Sequence, residues 1–156
     1  MRGIAFIAYI ALLFSCSAPP FYSEKQEVDS LSWTYDTRKT FTVDITDTDP
    51  FYDMHLTVGH TTAYRYQNMY MRIITSFPET EDKIEQLNID LAEKNGQWIG
   101  KCSGDNCKVK VYLLEKFKFA DTGTYTFSFE QYGRENNLEG IESLELQILK
   151  IEEQKS

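Results

Sequence analysis

Histidine, proline and glycine are all scarce in this chain: two, four and eight respectively among 156 residues. So little Pro and Gly excludes a low-complexity or collagen-like chain. Two histidines leave little material for a metal centre or an imidazole-based catalytic set. There is no Gly-x-Ser-x-Gly nucleophile elbow and no glycine-rich phosphate loop. No internal repeat is present. The longest apolar run, Ile4–Phe14, has eleven residues, well short of the roughly 20 that span a bilayer as a helix. Positive charge is also in short supply, with 16 basic residues against 24 acidic and a net charge of −8. An acidic body repels nucleic acid and anionic membrane surfaces alike, so no nucleic-acid partner is expected.

What is present begins with a signal. Arg2 precedes the apolar run, which has the length of a secretory h-region. The run closes on Leu13-Phe14-Ser15-Cys16, which resembles a bacterial lipobox: an aliphatic residue, a spacer, a small residue and the cysteine that takes the lipid. The physical logic is that a small residue fits the peptidase and the thiol takes a diacylglycerol that stays in the membrane. Residues 1–15 are therefore expected to be a lipoprotein signal peptide. Residues 16–29 are read as lipidated Cys16 plus a tether holding Pro19-Pro20, and 30–156 as the folded domain. An ordinary signal peptide cut elsewhere is the alternative. The membrane partner is the bilayer reached through the lipid on Cys16, and the expected location is the cell envelope. Without Arg2, 15 basic residues remain against 24 acidic, a mature charge of −9; surface charge is not what holds such a protein at a membrane.

Three cysteines is an odd count, which normally flags an unpaired thiol. If Cys16 carries lipid, Cys102 and Cys107 are left as an even pair in a compartment that permits disulfides. They bracket Ser103-Gly104-Asp105-Asn106, a turn-forming set, and a disulfide is preferred over two free thiols. Zinc is a poor third choice, for want of a second ligand pair.

The remaining residues, about 125 in number, suffice for a real core. Hydrophobic residues make up 42% and aromatics 14%, so disorder is excluded as the default. Period-two alternation recurs seven times: Phe41, Val43, Ile45; Met54, Leu56, Val58; Met69, Met71, Ile73; Leu87, Ile89, Leu91; Val109, Val111, Leu113; Tyr125, Phe127, Phe129; and Leu144, Leu146, Ile148. Short strands are also expected near Trp33 and Phe117. Asn95-Gly96 predicts a hairpin through a type I′ turn, leading to a strand with Trp98. Only Glu79–Leu87 has a helical look, worth one turn. Asp121-Thr-Gly-Thr-Tyr125 resembles the approach to a tyrosine corner. The fold expected is all-β, a single antiparallel sandwich of seven or eight strands.

Candidates for chemistry are few. His55 and His60, five apart, fall on opposite faces of a regular strand and are expected to be solvated strand-end residues. Asp44, Asp47, Asp49 and Asp53 crowd a loop; solvated turn carboxylates are the favoured account, calcium the alternative. Tyr64-Arg65-Tyr66-Gln67-Asn68-Met69-Tyr70 alternates aromatic with hydrogen-bonding side chains. Tyr64, Tyr66 and Tyr70 share parity, so three phenols on one strand face, with Arg65, are the expected partner surface. An amphipathic strand covering the sheet is the bland account of the same residues. No catalytic residues, metal site or cofactor is expected.

With these residues set out, the chain resembles the gliding-motility lipoprotein GldH family of Bacteroidota. The resemblance rests on the Cys16 lipobox, on Tyr64–Tyr70 and on Leu87-Asn-Ile-Asp-Leu-Ala-Glu-Lys-Asn-Gly-Gln-Trp-Ile-Gly100. Gly123–Gln131 and Leu138–Ile148 complete it. Lys101–Cys107 replaces a stretch that is usually glycine-rich in that family, and Gly133-Arg134 stands where Met-Arg is usual. The resemblance implies a membrane-anchored, non-enzymatic accessory of gliding motility and its associated secretion machinery, with other envelope proteins as partners. The competing reading is a carbohydrate-binding or other ligand-binding module of a surface lipoprotein. Such a module needs exposed aromatics coplanar across a groove.

Overall fold

A computed structural model describes residues 19–151, so the signal peptide, Cys16 and the last five residues lie outside the described part. Eleven strands run β1 (Tyr22–Glu27), β2 (Ser32–Thr34), β3 (Lys39–Ile45), β4 (Phe51–Thr61), β5 (Asn68–Ser76), β6 (Lys83–Asp90), β7 (Lys101–Ser103), β8 (Asn106–Phe117), β9 (Gly123–Gln131), β10 (Asn137–Glu139) and β11 (Ile141–Ile151). They form a five-stranded sheet, β1-β11-β4-β8-β7, a four-stranded sheet, β3-β9-β5-β6, and the small pair β10-β2. Every pairing is antiparallel. No helix among the described residues is long and apolar enough to cross a membrane.

The sandwich follows from the alternation. In β3 the odd positions Phe41, Val43 and Ile45 are buried and the residues between them face solvent. Tyr125, Phe127 and Phe129 of the adjacent β9 face the same way. Leu56 and Val58 of β4 sit beside Leu146 and Leu144 of β11, and all four are fully buried. All seven alternating segments are strands, and one apolar cluster joins the two large sheets. Tyr125 makes the tyrosine corner: its hydroxyl donates to the Asp121 carbonyl at 3.0 Å and accepts from the Asp121 amide at 3.2 Å.

Four local expectations change. First, the tether is shorter than 16–29, because Tyr22–Glu27 pairs with β11 as an edge strand. Four of its six residues are exposed; an edge strand held by backbone bonds needs no apolar alternation. Second, Lys83–Asp90 is a strand, so the helical turn at Glu79–Leu87 is absent. Ile84 and Leu87, three apart, look like one face of a helix, yet Ile84 is 63% exposed and only Leu87 turns inward. Third, the Asn95-Gly96 hairpin exists with a different turn. The Gly96 amide bonds the Glu93 carbonyl and the Glu93 amide the Gln97 carbonyl, both at 2.8 Å, and of the two turn residues only Gly96 has positive φ, +85°. That is a type I turn followed by a left-handed glycine, the usual three-residue hairpin loop. Fourth, Phe117 ends β8 and forms no strand of its own.

Strand register gives the molecule two ends. Ile45, Phe51, Phe117, Gly123 and Ile151 meet at the end where β1 begins. Thr61, Asn68, Asn106, Gln131 and Ile141 meet at the other. The disulfide Cys102–Cys107 joins directly opposed residues of the β7–β8 hairpin at this second end.

Candidate functional site

The second end holds the tyrosine-rich segment, though not as one strand. Only Asn68 onward is sheet; Tyr64–Gln67 is the connection from β4. The shared parity therefore does not place the three phenols on one face. Tyr64 points inward, 4% exposed, and its hydroxyl donates to the Asn68 carbonyl at 3.0 Å. Burial, then the neighbouring Tyr66, raise its pKa, so it stays a neutral donor. The Tyr64 backbone is crowded by Gly140, whose φ is +90° and whose notional Cβ would lie 3.0 Å from the Tyr64 Cα. A side chain at 140 would displace the connection. Tyr66 packs edge-on against Tyr64, with centroids 5.8 Å apart, and is 37% exposed. Tyr70, on the outward face of β5, is 50% exposed, and Arg65 is exposed.

Facing these residues is the segment 132–136 between β9 and β10. Parity along β9 carries Gln131 inward after Phe129, and its buried amide organises this loop. Nε2 donates to the carbonyls of Glu135 (3.1 Å) and Asn136 (3.0 Å), and Oε1 accepts from the Gly133 amide at 2.8 Å. Tyr35 clamps the other side, donating from its hydroxyl to the Gly133 carbonyl while its amide bonds the Asn136 side chain. A buried polar side chain with every bond made rigidifies its surroundings. Between loop and connection lies a concavity of about 470 Å³, lined by Tyr64, Tyr66, Asn68, Met69, Tyr70, Gly133, Arg134, Glu135 and Leu138. Two shallower depressions flank the same loop, one beside Arg65 and Glu139, one beside Tyr35 and Arg72. Hydrogen bonding to Glu135, then partial burial, raise the Tyr66 pKa. The Arg72 guanidinium lies 3.8 Å from the centroid of the Tyr132 ring. Arg38 pairs with Glu130, its Nε 2.8 Å from Oε1.

The expected partner residues are thus divided. Tyr66, Tyr70 and Arg65 stay at the surface, and Tyr64 becomes their support. Sequence reading missed Tyr35, Arg72, Tyr132 and Glu135, which only the fold brings together. The one available signal was Gln131, a polar residue at an inward position.

The histidines also differ from expectation. Both are buried, His55 at 3% and His60 at 0% exposure. They do take opposite faces of β4: His60 lies within 4.8 Å of the Trp98 ring and His55 stacks edge-on against Tyr112 at 4.4 Å. Flanking strands and aromatic rings bury them, where a strand end in solvent was expected. His55 has no hydrogen-bond partner at either nitrogen, and burial first, then Lys110, lower its pKa. The aspartates disperse. Asp44 accepts from Thr124, Asp47 from the Asp49 amide and Asp53 from the Lys116 amide. Among the described residues no group of three or more His, Cys, Asp or Glu side chains is arranged to hold a metal ion.

Comparison with known proteins now decides the family. A model of the GldH lipoprotein family matches residues 20–148. The chain belongs to the GldH lipoprotein family. The match begins two residues before β1 and runs into β11, so it covers the sandwich, edge strand included. Among its relatives is a "Gliding motility lipoprotein GldH homolog" of Christiangramia forsetii, 30% identical over 141 residues, 90% of this chain and 86% of that protein. Another is the "Gliding motility lipoprotein GldH" of Flavobacterium johnsoniae, 28% identical over 144 residues, 92% and 88% of the two chains. Among solved structures, part of a family GH115 4-O-methyl-α-glucuronidase aligns at a TM-score of 0.43 and 9% identity, over 97% of this chain and 20% of that one. A likeness at that level carries no argument about function.

Proposed function

We propose that this protein is a lipid-anchored, non-enzymatic component of gliding motility and its associated protein secretion machinery, and that it binds other envelope proteins through the tyrosine end. Its GldH relatives bear the gliding-motility name. The lipobox supports removal of residues 1–15 and a lipid on Cys16. The observation that carries the binding role is the concavity of about 470 Å³ whose rim exposes Tyr66 and Tyr70 over a loop already pinned by Gln131 and Tyr35. Tyrosine and arginine supply large contact area at small entropic cost, and a preordered loop lowers the cost further. No set of nucleophile, base and orienting group accompanies it.

The arrangement fits a sugar platform less well. Tyr66 meets Tyr64 edge-on, and one face of Tyr132 is occupied by Arg72, so both rings are already engaged by neighbours. The test is deletion of the gene followed by assays of colony spreading and secretion, with complementation by wild type, Cys16→Ser and a Tyr66→Ala/Tyr70→Ala double variant. Cross-linking and pull-down from membranes accompany each strain. Loss of spreading on deletion, restored by wild type but not by the tyrosine variant, and a cross-linked protein lost with that variant, are expected. Normal spreading and secretion in the deletion strain, together with retention of a specific polysaccharide by the purified domain, would replace this reading with the carbohydrate one. Labelling with radioactive palmitate should mark the wild type and not Cys16→Ser.

A further inference from the structure

The two ends of the sandwich stand in different relation to the lipid. Six residue steps separate Cys16 from Tyr22, the first residue of β1, a reach of at most about 20 Å fully extended. β4 runs the length of the domain with eleven residues, or about 35 Å at strand rise. The end where β1 begins is thus held near the bilayer, at an effective concentration in the millimolar range that makes weak contacts count.

That end is built for such a contact. Phe21 is 40% exposed and stacks on Tyr52 with centroids 5.3 Å apart. Phe51, first residue of β4, sits under two ammonium groups: Lys116 Nζ at 5.5 Å and Lys118 Nζ at 4.7 Å from its ring centroid. Lys116 is one of three non-glycine residues with positive φ, +47°, a conformation that costs energy and is kept only where surroundings impose it. Here the Asp53 carboxylate imposes it by accepting the Lys116 amide at 2.8 Å, beside two register shifts in the β4–β8 pairing. The result is two lysines over one aromatic ring at the anchor end. Carboxylates share this end: Asp47 lies 4.0 Å from Lys150 and Asp53 holds the Lys116 amide, and Asp49, Glu115 and Asp121 fall within three residues of Phe51, Lys116 and Lys118 in the sequence. Mixed charge around exposed Phe21 and half-buried Phe51 suits zwitterionic headgroups, whose phosphate meets the lysines and whose ammonium meets the carboxylates. It does not suit a strongly anionic surface.

We infer that this end, with Phe21, Phe51, Lys116 and Lys118 at its centre, is a membrane-contact surface for zwitterionic lipid headgroups, which holds the sandwich upright and turns the tyrosine end away from the bilayer. The inference rests on the lipid anchor proposed above and not on the identity of any protein partner. Its test is amide hydrogen exchange of the full lipidated protein in phosphatidylethanolamine–phosphatidylcholine vesicles, against the Cys16→Ser protein in solution. Amides of 46–51 and 115–122 should exchange at least about threefold more slowly on vesicles, with 62–67 and 132–137 unchanged. A Phe21→Ser/Lys118→Glu protein, still lipidated and folded by circular dichroism, should lose the difference while keeping its cross-links to protein partners. Equal exchange in the two samples, protection at the tyrosine end, or a Cys16 that takes no lipid would each overturn the inference. Loss of partner cross-links with the protection pattern intact would instead sink only the protein-binding proposal.

Discussion

Both ends of this sandwich are rich in aromatic rings, and they use them in opposite ways. At the end where β1 begins, Tyr52, Phe117, Phe119, Tyr125 and Phe77 interlock through tilted and edge-to-face contacts with centroids 4.8 to 6.2 Å apart. They close the core like a plug. At the other end Tyr35, Tyr66, Tyr70 and Tyr132 are each 37% to 50% exposed; Tyr66 and Tyr70 line one hollow, and Tyr35 and Tyr132 a shallower one against the same loop. The chemistry of the side chains follows the use. Three of the five plug rings are phenylalanine, and its two tyrosines turn their hydroxyls to the backbone of Asp47 and Asp121; the rim is tyrosine alone, where one end of the ring can stay wet. Burial area is what the first end contributes to stability, and accessible area is what distinguishes the second.

The same substitution made at both ends gives the largest expected contrast. Tyr52→Ala removes a ring 1% exposed that touches Phe21, Phe117 and Phe119, and should destabilise by about 3–5 kcal/mol. Tyr70→Ala, at 50% exposure, should stay within about 0.5 kcal/mol. Chemical denaturation of the two variants measures this, and comparable losses would erase the distinction between plug and rim.

The next effect belongs to the tyrosine end. Cys102 and Cys107 are five residues apart, so the closed loop is small and replacing both by Ser should cost about 2 kcal/mol. Alkylation of the unfolded, unreduced protein should leave both sulfurs unmodified. At the opposite end, Tyr125→Phe keeps the ring in the plug but strips the corner of its bonds to Asp121. The expected loss is about 1 kcal/mol, read from the same denaturation curves; a loss as large as that of Tyr52→Ala would mean the ring itself had moved.

The core between the sheets was far more legible in the sequence than the rim. Core residues announce themselves by alternation, since a one-residue slip would put every apolar side chain into water. Phe41, Leu56, Phe127 and Leu146 were assigned on that ground and are buried. Edge strands escape that logic. β1 is mostly exposed and β6 begins with four exposed residues, so neither shows the pattern along its whole length. The surface around the 132–136 loop is assembled from Tyr35, Tyr66 and Tyr132, nearly 100 positions apart at the extremes, and no local rule joins them. Extending the Tyr125-Phe127-Phe129 alternation by one step would have marked Gln131 as inward-facing, and a buried amide at a strand end is a sign that a loop depends on it.

The smallest expected effect lies between the two ends, at His55. Its ring is 3% exposed, has no hydrogen-bond partner, and packs against Tyr112. Burial, reinforced by Lys110, lowers its pKa, and Asp53 and Glu115 oppose the shift only in part. The folded protein therefore binds a proton at His55 less readily than the unfolded chain, whose histidine titrates near 6.5. Wherever the unfolded state holds more protons, stability rises with pH. The His55 contribution is thus complete above about pH 6.5 and declines as pH falls from there toward the folded pKa. His55→Phe keeps an aromatic ring against Tyr112 and removes the titration. Its stability should vary less than that of the wild type between about pH 6.5 and 5, with His60 and the carboxylates common to both proteins cancelling in the difference. Parallel pH profiles for the two proteins would show that His55 is protonated as easily in the fold as out of it, and that the ring is less sequestered than its packing against Tyr112 implies.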